Sequence, residues 1–287
     1  MSTTTASQGT QARFSFEFFP PKTEVGEQKL AEVHSQLALL QPDFFSVTYG
    51  AGGSTRDGTR QAVSRIQQAG SNAAPHLSFG GSTEQEILEL LNFYKDLGIK
   101  RLVALRGDIP SGTGGANSFF YANELIDVIR LNTGDHFHID VACYPEIHPK
   151  SDSFDTDLHY FKKKVEAGAN SAITQYFYNP DAYFYYVESA RAAGIEVPIV
   201  PGIMPITNYS NLARFSSSCG AEIPRWMRQR LQSFGDDSQS IKEFGTEVVT
   251  QLCEKLLQGG APGLHFYTMN QHAPVSDIWN NLGLSNR

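Results

Sequence analysis

The chain has 287 residues, 40% of them hydrophobic and 18% charged, enough apolar material for one large core. Its net charge of -7 with no basic face argues against nucleic acid as a partner, and no apolar run nears the roughly 20 residues that span a bilayer. Cys143, Cys219 and Cys253 lie far apart, so a disulfide framework is excluded and reduced thiols in a cytoplasmic protein are expected.

Residues 1–11 are rich in Ser, Thr and Gln without a hydrophobic segment, which reads as a disordered tail over 1–12 rather than a signal peptide. One folded domain is expected over 13–287. Short runs rich in Phe, Val, Ile and Tyr at 14–19, 44–50, 74–79, 101–106, 138–144, 171–177, 198–203 and 263–269 read as strands. Helical periodicity fills the stretches between them. Leu30, Val33, Leu37 and Leu40 share one face, as do Ile87, Leu90, Leu91 and Leu97, and Leu158, Phe161 and Val165 line a helix over 154–167. Thr83 and Glu86 form a capping box. Gly98, Gly134, Gly168, Gly194 and Gly220 each follow a helical segment, where a left-handed terminal residue favours glycine. The stretch 221–244 exceeds what one connection needs and predicts an extra helix near residues 224–234.

Eight strands, each followed by a helix, predict an α/β fold of the (β/α)8 TIM-barrel type in a single domain. A doubly wound sheet is the alternative, disfavoured because no Gly-x-Gly-x-x-Gly follows the first strand. The glycine-rich run 111–116 comes too late after a strand to serve that purpose and is expected to be a flexible loop.

Barrel enzymes build their sites at the C-terminal ends of the strands. Those ends carry Glu17, Thr48, Tyr49, His76, Arg106, Asp108, Tyr144, Glu146, His148, Gln175 and Tyr267. Alternation in Phe14-Ser15-Phe16-Glu17-Phe18 sends the phenylalanines to one face and Ser15 and Glu17 towards the barrel interior. A carboxyl among aromatics loses solvation, so the pKa of Glu17 is expected to rise towards neutrality, as suits a general acid; a glutamate paired with Arg or Lys is the alternative. Asp108, two residues after Arg106, reads either as its ion-pair partner or as a carboxylate holding a developing cation. His76 reads first as a histidine with its hydrogen bonds satisfied. His136-x-His138 lacks a third ligand at metal-binding spacing, so no metal site is expected. The run Lys162-Lys163-Lys164 is either a solvated face or a phosphate-holding cluster.

Nine motifs in order make the chain resemble the methylenetetrahydrofolate reductase family from about Phe14 to Gly283. They are Phe16-Glu17-Phe18-Phe19-Pro20-Pro21-Lys22-Thr23, Ser46-Val47-Thr48-Tyr49-Gly50-Ala51, Ala74-Pro75-His76-Leu77 and Ala104-Leu105-Arg106-Gly107-Asp108. Tyr144-Pro145-Glu146-Ile147-His148-Pro149, Lys164-Val165-Glu166-Ala167-Gly168-Ala169-Asn170, Ile173-Thr174-Gln175, Pro201-Gly202-Ile203-Met204-Pro205 and His265-Phe266-Tyr267-Thr268-Met269-Asn270 complete the set. The length resembles bacterial members that consist of the catalytic barrel alone.

The resemblance implies an FAD-binding catalytic barrel over 13–287. It reduces 5,10-methylenetetrahydrofolate to 5-methyltetrahydrofolate with NADH or NADPH, by ping-pong hydride transfer, and supplies methyl groups for methionine synthesis. Glu17 matches the family's general acid and Asp108 the carboxylate that stabilises the folate cation. Thr48, Tyr49, Ala51, His76, Arg106, Gly107, Asp108, Tyr121, Ala122, Ala142, Tyr144, His148, Asp157, Lys163 and Lys164 match FAD-binding positions. Glu17, Thr48, Asp108, Tyr144, Gln175, Phe215, Tyr267 and Gln271 match positions that meet folate or the nicotinamide. Gln271 stands where an arginine is familiar, Lys163 likewise, and Tyr160 and Asn211 replace a familiar Asn and Gln. A homo-oligomer acting on small molecules, with neither nucleic acid nor membrane as partner, is the expected assembly. Another FAD-dependent barrel oxidoreductase of the proline dehydrogenase kind, a cofactor-free folate-binding barrel that works as a lyase or transferase, and a non-catalytic folate binder are the rival readings.

Overall fold

The computed structural model describes residues 12–49, 56–79, 82–107 and 121–284. The strands are β1 (Arg13–Phe18), β2 (Phe44–Val47), β3 (Ala73–Leu77), β4 (Arg101–Ala104), β5 (His138–Cys143), β6 (Ser171–Thr174), β7 (Ile199–Val200), β8 (Gly202–Ile203) and β9 (Gly263–Tyr267). They pair in the order β7-β6-β5-β4-β3-β2-β1-β9-β8, every pair parallel. The two outer members are consecutive pieces of the run expected over 198–203. That run bonds β6 on one side and β9 on the other, so the sheet closes into a barrel and the doubly wound alternative falls.

Pro201 causes the interruption, because it has no N–H to give the ladder. The next N–H, of Gly202, goes to the side-chain oxygen of Thr174 at 2.9 Å. Only glycine fits there: a Cβ would lie 2.2 Å from Thr174 O and 2.6 Å from the Tyr267 ring. Other strands end earlier than their apolar runs, β2 at Val47 and β6 at Thr174, because the chain leaves the ladder once the barrel rim is reached.

Helices α1 (Glu24–Ala38), α2 (Arg56–Gln68), α3 (Glu84–Asp96), α4 (Ala122–Thr133), α5 (Phe154–Glu166) and α6 (Pro180–Ala192) each follow one strand. After β8 come three, α7 (Tyr209–Cys219), α8 (Arg225–Ser233) and α9 (Ser238–Gln258), and α10 (Ala273–Asn281) follows β9. Helix α8 is the extra helix foreseen near 224–234; it buries Met227 and Leu231. The Thr83–Glu86 capping box forms, and Gly98, Gly134, Gly168, Gly194 and Gly220 all have positive φ. The 1–12 tail, apart from Ala12, and the 111–116 loop lie outside the described residues.

The alternation read in β1 holds. Phe14 and Phe16 pack outward on Trp279 of α10, with ring centroids 5.0 and 5.9 Å away, and Phe18 stacks on Phe45 at 5.4 Å. Ser15 and Glu17 face inward. Phe44, Ala74, Val103 and Ile173 form a separate apolar layer with Leu105, distinct from the main core under the helices. Above that layer the strand ends carry polar side chains.

Candidate active site

Glu17 ends β1 opposite Ser46 of β2 and Tyr267 of β9. Its side chain is 10% exposed, and Oε2 lies 3.2 Å from His76 Nε2 and 3.3 Å from His265 Nε2. Ser46 Oγ stands at 3.5 Å, and Ser15 Oγ holds the far nitrogen of His265, Nδ1, at 2.7 Å. The Glu17 backbone is pinned too, its carbonyl accepting Thr268 Oγ1 at 2.7 Å. Burial by itself would raise this carboxyl, which was the expectation. The attraction of His76 first, with the His265 hydrogen bond, outweighs burial and holds the pKa down at about 2. The expected rise is therefore corrected: the partners are neither Arg nor Lys but two imidazoles. His76 is likewise no satisfied core histidine, since its Nε2, although close to Glu17, is buried without an aligned hydrogen bond.

A cavity of about 460 Å³ opens between the ends of β4 and β5 and helices α4 and α5; Glu17, His265 and His76, the last expected at an FAD position, are not among its lining residues. Tyr49, Arg106, Gly107, Tyr121, Ala122, Ala142, Tyr144, His148, Asp157 and Lys164 line it, all of them positions foreseen for a flavin. Ser78, Asn123, Lys150, Ser151, Asp152, Thr156 and Tyr160 add to the polar wall. Lys164 donates to the carbonyl of Ala142. Burial lowers its ammonium pKa and raises the Asp157 carboxyl nearby, the latter against the pull of the His148 N–H and Lys164. The Tyr49 hydroxyl is buried, which raises its phenol pKa against the opposing Ser82 side chain. Tyr121 stacks on Tyr160 at 5.2 Å and 9°, with Arg106 over Tyr121 and Lys163 over Tyr160. Three cations, Arg106, Lys150 and Lys164, with a buried phenol and close backbone at Gly107, fit an anionic, hydrogen-bonding dinucleotide.

The family model for methylenetetrahydrofolate reductase matches residues 3–283. The chain belongs to this family. The 5,10-methylenetetrahydrofolate reductase of Escherichia coli is 38% identical over 275 residues, 96% of this chain and 92% of that protein. Methylenetetrahydrofolate reductase (NADH) 1 of Arabidopsis thaliana is 39% identical over 288 residues; the match takes 96% of this chain but spans about half, 49%, of the plant protein. Among solved structures, an uncharacterized Clostridium thermocellum protein that binds two copies of 5-methyl-5,6,7,8-tetrahydrofolic acid shares the fold. Its TM-score is 0.67 at 16% identity, covering 96% of this chain and 94% of that one.

The remaining positions that resemble those of the reductase family fall less tightly together. Thr48 sits at the end of β2, its N–H on Phe18 O. Tyr267 faces Glu17 across the β1–β9 register, but its hydroxyl is already used by Thr174 O at 2.7 Å. Gln175 turns its side-chain oxygen to the Tyr176 N–H at 3.0 Å. Phe215 rides on α7, half-buried, and Gln271 is exposed just after Asn270, whose amide clamps both backbone groups of Phe19. Lys163 is exposed on α5, outside the cavity lining, whereas Lys164 lies within it. Ala51 and Asp108 lie outside the described residues. His136 and His138 go to different partners, Ile99 O at 3.1 Å and Ser171 Oγ at 2.7 Å.

Sequence reasoning missed His265. It stands two residues before Tyr267 in β9, and period-two alternation already placed both on the inward face. That signal was available.

Proposed function

We propose that the chain is an FAD-dependent reductase that converts 5,10-methylenetetrahydrofolate to 5-methyltetrahydrofolate at the expense of NADH or NADPH, in the cytoplasm, supplying methyl groups for methionine synthesis. Family membership supports the reaction, and the observation that carries the chemistry is the Glu17–His76–His265 cluster at the barrel mouth. FAD, held by Arg106, Lys164, Tyr49 and their neighbours in the cavity, would carry the hydride from the nicotinamide to the folate in two alternating half-reactions. Among the described residues no helix is long and apolar enough to cross a membrane.

The protein's own part is the proton. Opening the folate's five-membered ring to a reactive iminium cation requires protonation of a ring nitrogen. Glu17 is held ionised in the free protein, so it is a relay carboxylate rather than a stored acid. The proton donor would be the imidazolium form of His76 or His265, whose Nε2 faces Oε2; in that form His265 Nδ1–H donates to Ser15 Oγ, which keeps Nε2 in that direction. Substrate over the cluster excludes water and disfavours the imidazolium–carboxylate charge pair, which moves the proton onto Glu17, leaves a neutral imidazole, and makes that proton available to the folate. Asp108 follows in sequence as the carboxylate proposed to balance the cation, and Phe215, Gln175 and Tyr267 as contacts for folate or nicotinamide.

The test is stopped-flow spectroscopy of the purified protein. A yellow protein is expected, bleached by NADH or NADPH and recoloured by 5,10-methylenetetrahydrofolate. Reoxidation only by a different substrate would favour another flavin barrel oxidoreductase. A colourless protein that binds folate would favour a cofactor-free barrel.

A further inference from the structure

Helix α7 is tied at two places to the loop after β5 and at a third to the segment after β6. Glu146 Oε2 accepts the backbone N–H of Glu222 at 2.8 Å, just beyond the helix. Gly220, left-handed at φ 78°, turns the chain out of α7 against Pro149, where a Cβ would meet Pro149 Cγ at 2.9 Å. One turn back, Ser216 Oγ and Tyr176 OH lie 3.0 Å apart in a buried contact.

The same loop walls the cavity on its other side. Tyr144 and His148 line that cavity, and the His148 N–H donates to Asp157 at 3.1 Å. Between the two sides stands Ile147 at φ 69°, a left-handed conformation that a β-branched residue adopts only at a cost. Such a twist persists where the surroundings fix both neighbours, here Glu146 on α7's side and His148 on the cavity's.

We propose that Glu146 is a positioning residue that latches α7, and with it Phe215, to the loop walling the cofactor cavity, and so sets how tightly the second ligand is held. The inference rests on the reductase reading, in which Phe215 meets the nicotinamide or the folate.

The latch is sensitive to pH. Burial pushes the Glu146 carboxyl up to about 7, with the Glu222 N–H opposing and the Glu222 charge adding to the rise. The other titratable groups around it are Tyr176 and Tyr178 after β6, whose phenols burial keeps neutral, and Cys219 at the end of α7, which acts on both phenols. A raised carboxyl costs stability as it ionises, so the latch is firm below the ordinary value of 4.5 and is lost as pH rises to about 7.

Two substitutions, Glu146→Ala and Glu146→Gln, test this in the flavin-loaded protein. Alanine removes the acceptor and should raise KM for NAD(P)H or for folate by about tenfold, in line with loss of one hydrogen bond. Glutamine keeps an oxygen within reach but cannot ionise. Its KM should match the wild type near pH 4.5 and stay flat to about pH 8, while the wild-type KM climbs between about pH 4.5 and 7 and then levels. In a Phe215→Ala background Glu146→Ala should add little, because both act through one helix position. Hydrogen exchange at the Glu222 amide should accelerate in Glu146→Ala. A pH drift retained in Glu146→Gln, full additivity with Phe215→Ala, or unchanged exchange at Glu222 would each overturn the latch. A wild-type protein without reductase activity would overturn the functional reading instead, and exchange at Glu222 would still judge the latch.

Discussion

The barrel interior holds two buried carboxylates, one near each end, and their partners differ in kind. At the N-terminal end, Asp140 is fully buried and bound by Arg101, Nε at 2.5 Å and Nη2 at 2.9 Å, with Ser171 Oγ and His138 beside it. At the C-terminal end, Glu17 is bound by His76 and His265. Phe44 separates the two, with the Arg101 guanidinium 4.1 Å over one side and His265 stacked at 6.0 Å. Both carboxyls are held well below their usual range despite burial, Asp140 by Arg101 first and Glu17 by His76 first. Arginine never gives up its proton near neutral pH, whereas imidazole does. The lower pair is a fixed brace; the upper cluster can pass a proton on.

The largest expected effect follows from the upper cluster. Glu17→Gln should slow folate reduction by roughly 10²–10⁴-fold, the range for a lost acid, while flavin reduction by NAD(P)H changes little. Equal, small losses in both half-reactions would make Glu17 a brace like Asp140. The mirror experiment is Asp140→Asn. It leaves the Arg101 charge uncompensated beneath Phe44 and should cost about 3–5 kcal/mol in urea unfolding, with kcat of the folded protein nearly unchanged. A fall in kcat at wild-type stability would show that the lower pair also takes part in the reaction.

A third variant, His265→Gln, asks whether charge or packing makes the upper cluster cohere. The folded pKa of Glu17, about 2, lies below its ordinary 4.5. Its stabilising contribution is therefore complete above about pH 4.5 and lost as pH falls towards 2. Removing one imidazole leaves burial less opposed and narrows that gap. The variant should be less stable than wild type by about 1–3 kcal/mol at pH 6. The deficit should vanish by about pH 2–3, and urea titrations across that range measure it. A deficit independent of pH would assign His265 to packing.

This contrast was only half legible in the amino-acid order. Alternation in β1 placed Glu17 inward and Phe14, Phe16 and Phe18 outward because period-two geometry is local. The partners of Glu17 are not local: His265 is 248 residues away in the chain and becomes a neighbour only through the parallel β1–β9 pairing. Aromatic flanks therefore suggested a raised pKa, and the distant imidazoles reversed it. Pro201 was visible too, but that it would split one strand between two neighbours depended on barrel closure.

The smallest expected effect lies at the rim, where a charge partner is missing altogether. Gln271 is exposed beside a loop held rigid by Asn270 and Phe19, on the β9 side that leads to Glu17. Neutral glutamine can hydrogen-bond a carboxylate of the folate's glutamate tail but cannot form a bidentate, charge-assisted pair with it. Gln271→Arg should therefore lower the folate KM by about threefold to tenfold, while NAD(P)H oxidation with an unrelated electron acceptor stays the same. Two arginines of α8 are the alternative holders of the tail: Arg228, which donates to Ile223 O at 3.3 Å, and Arg230, which lies 4.8 Å over the Phe234 ring. Alanine at either should leave the folate KM unchanged. A raised KM in Arg228→Ala or Arg230→Ala, with no gain in Gln271→Arg, would move the tail onto α8. No effect in any of the three would leave the tail in solvent, and binding would then rest on contacts at the barrel mouth alone.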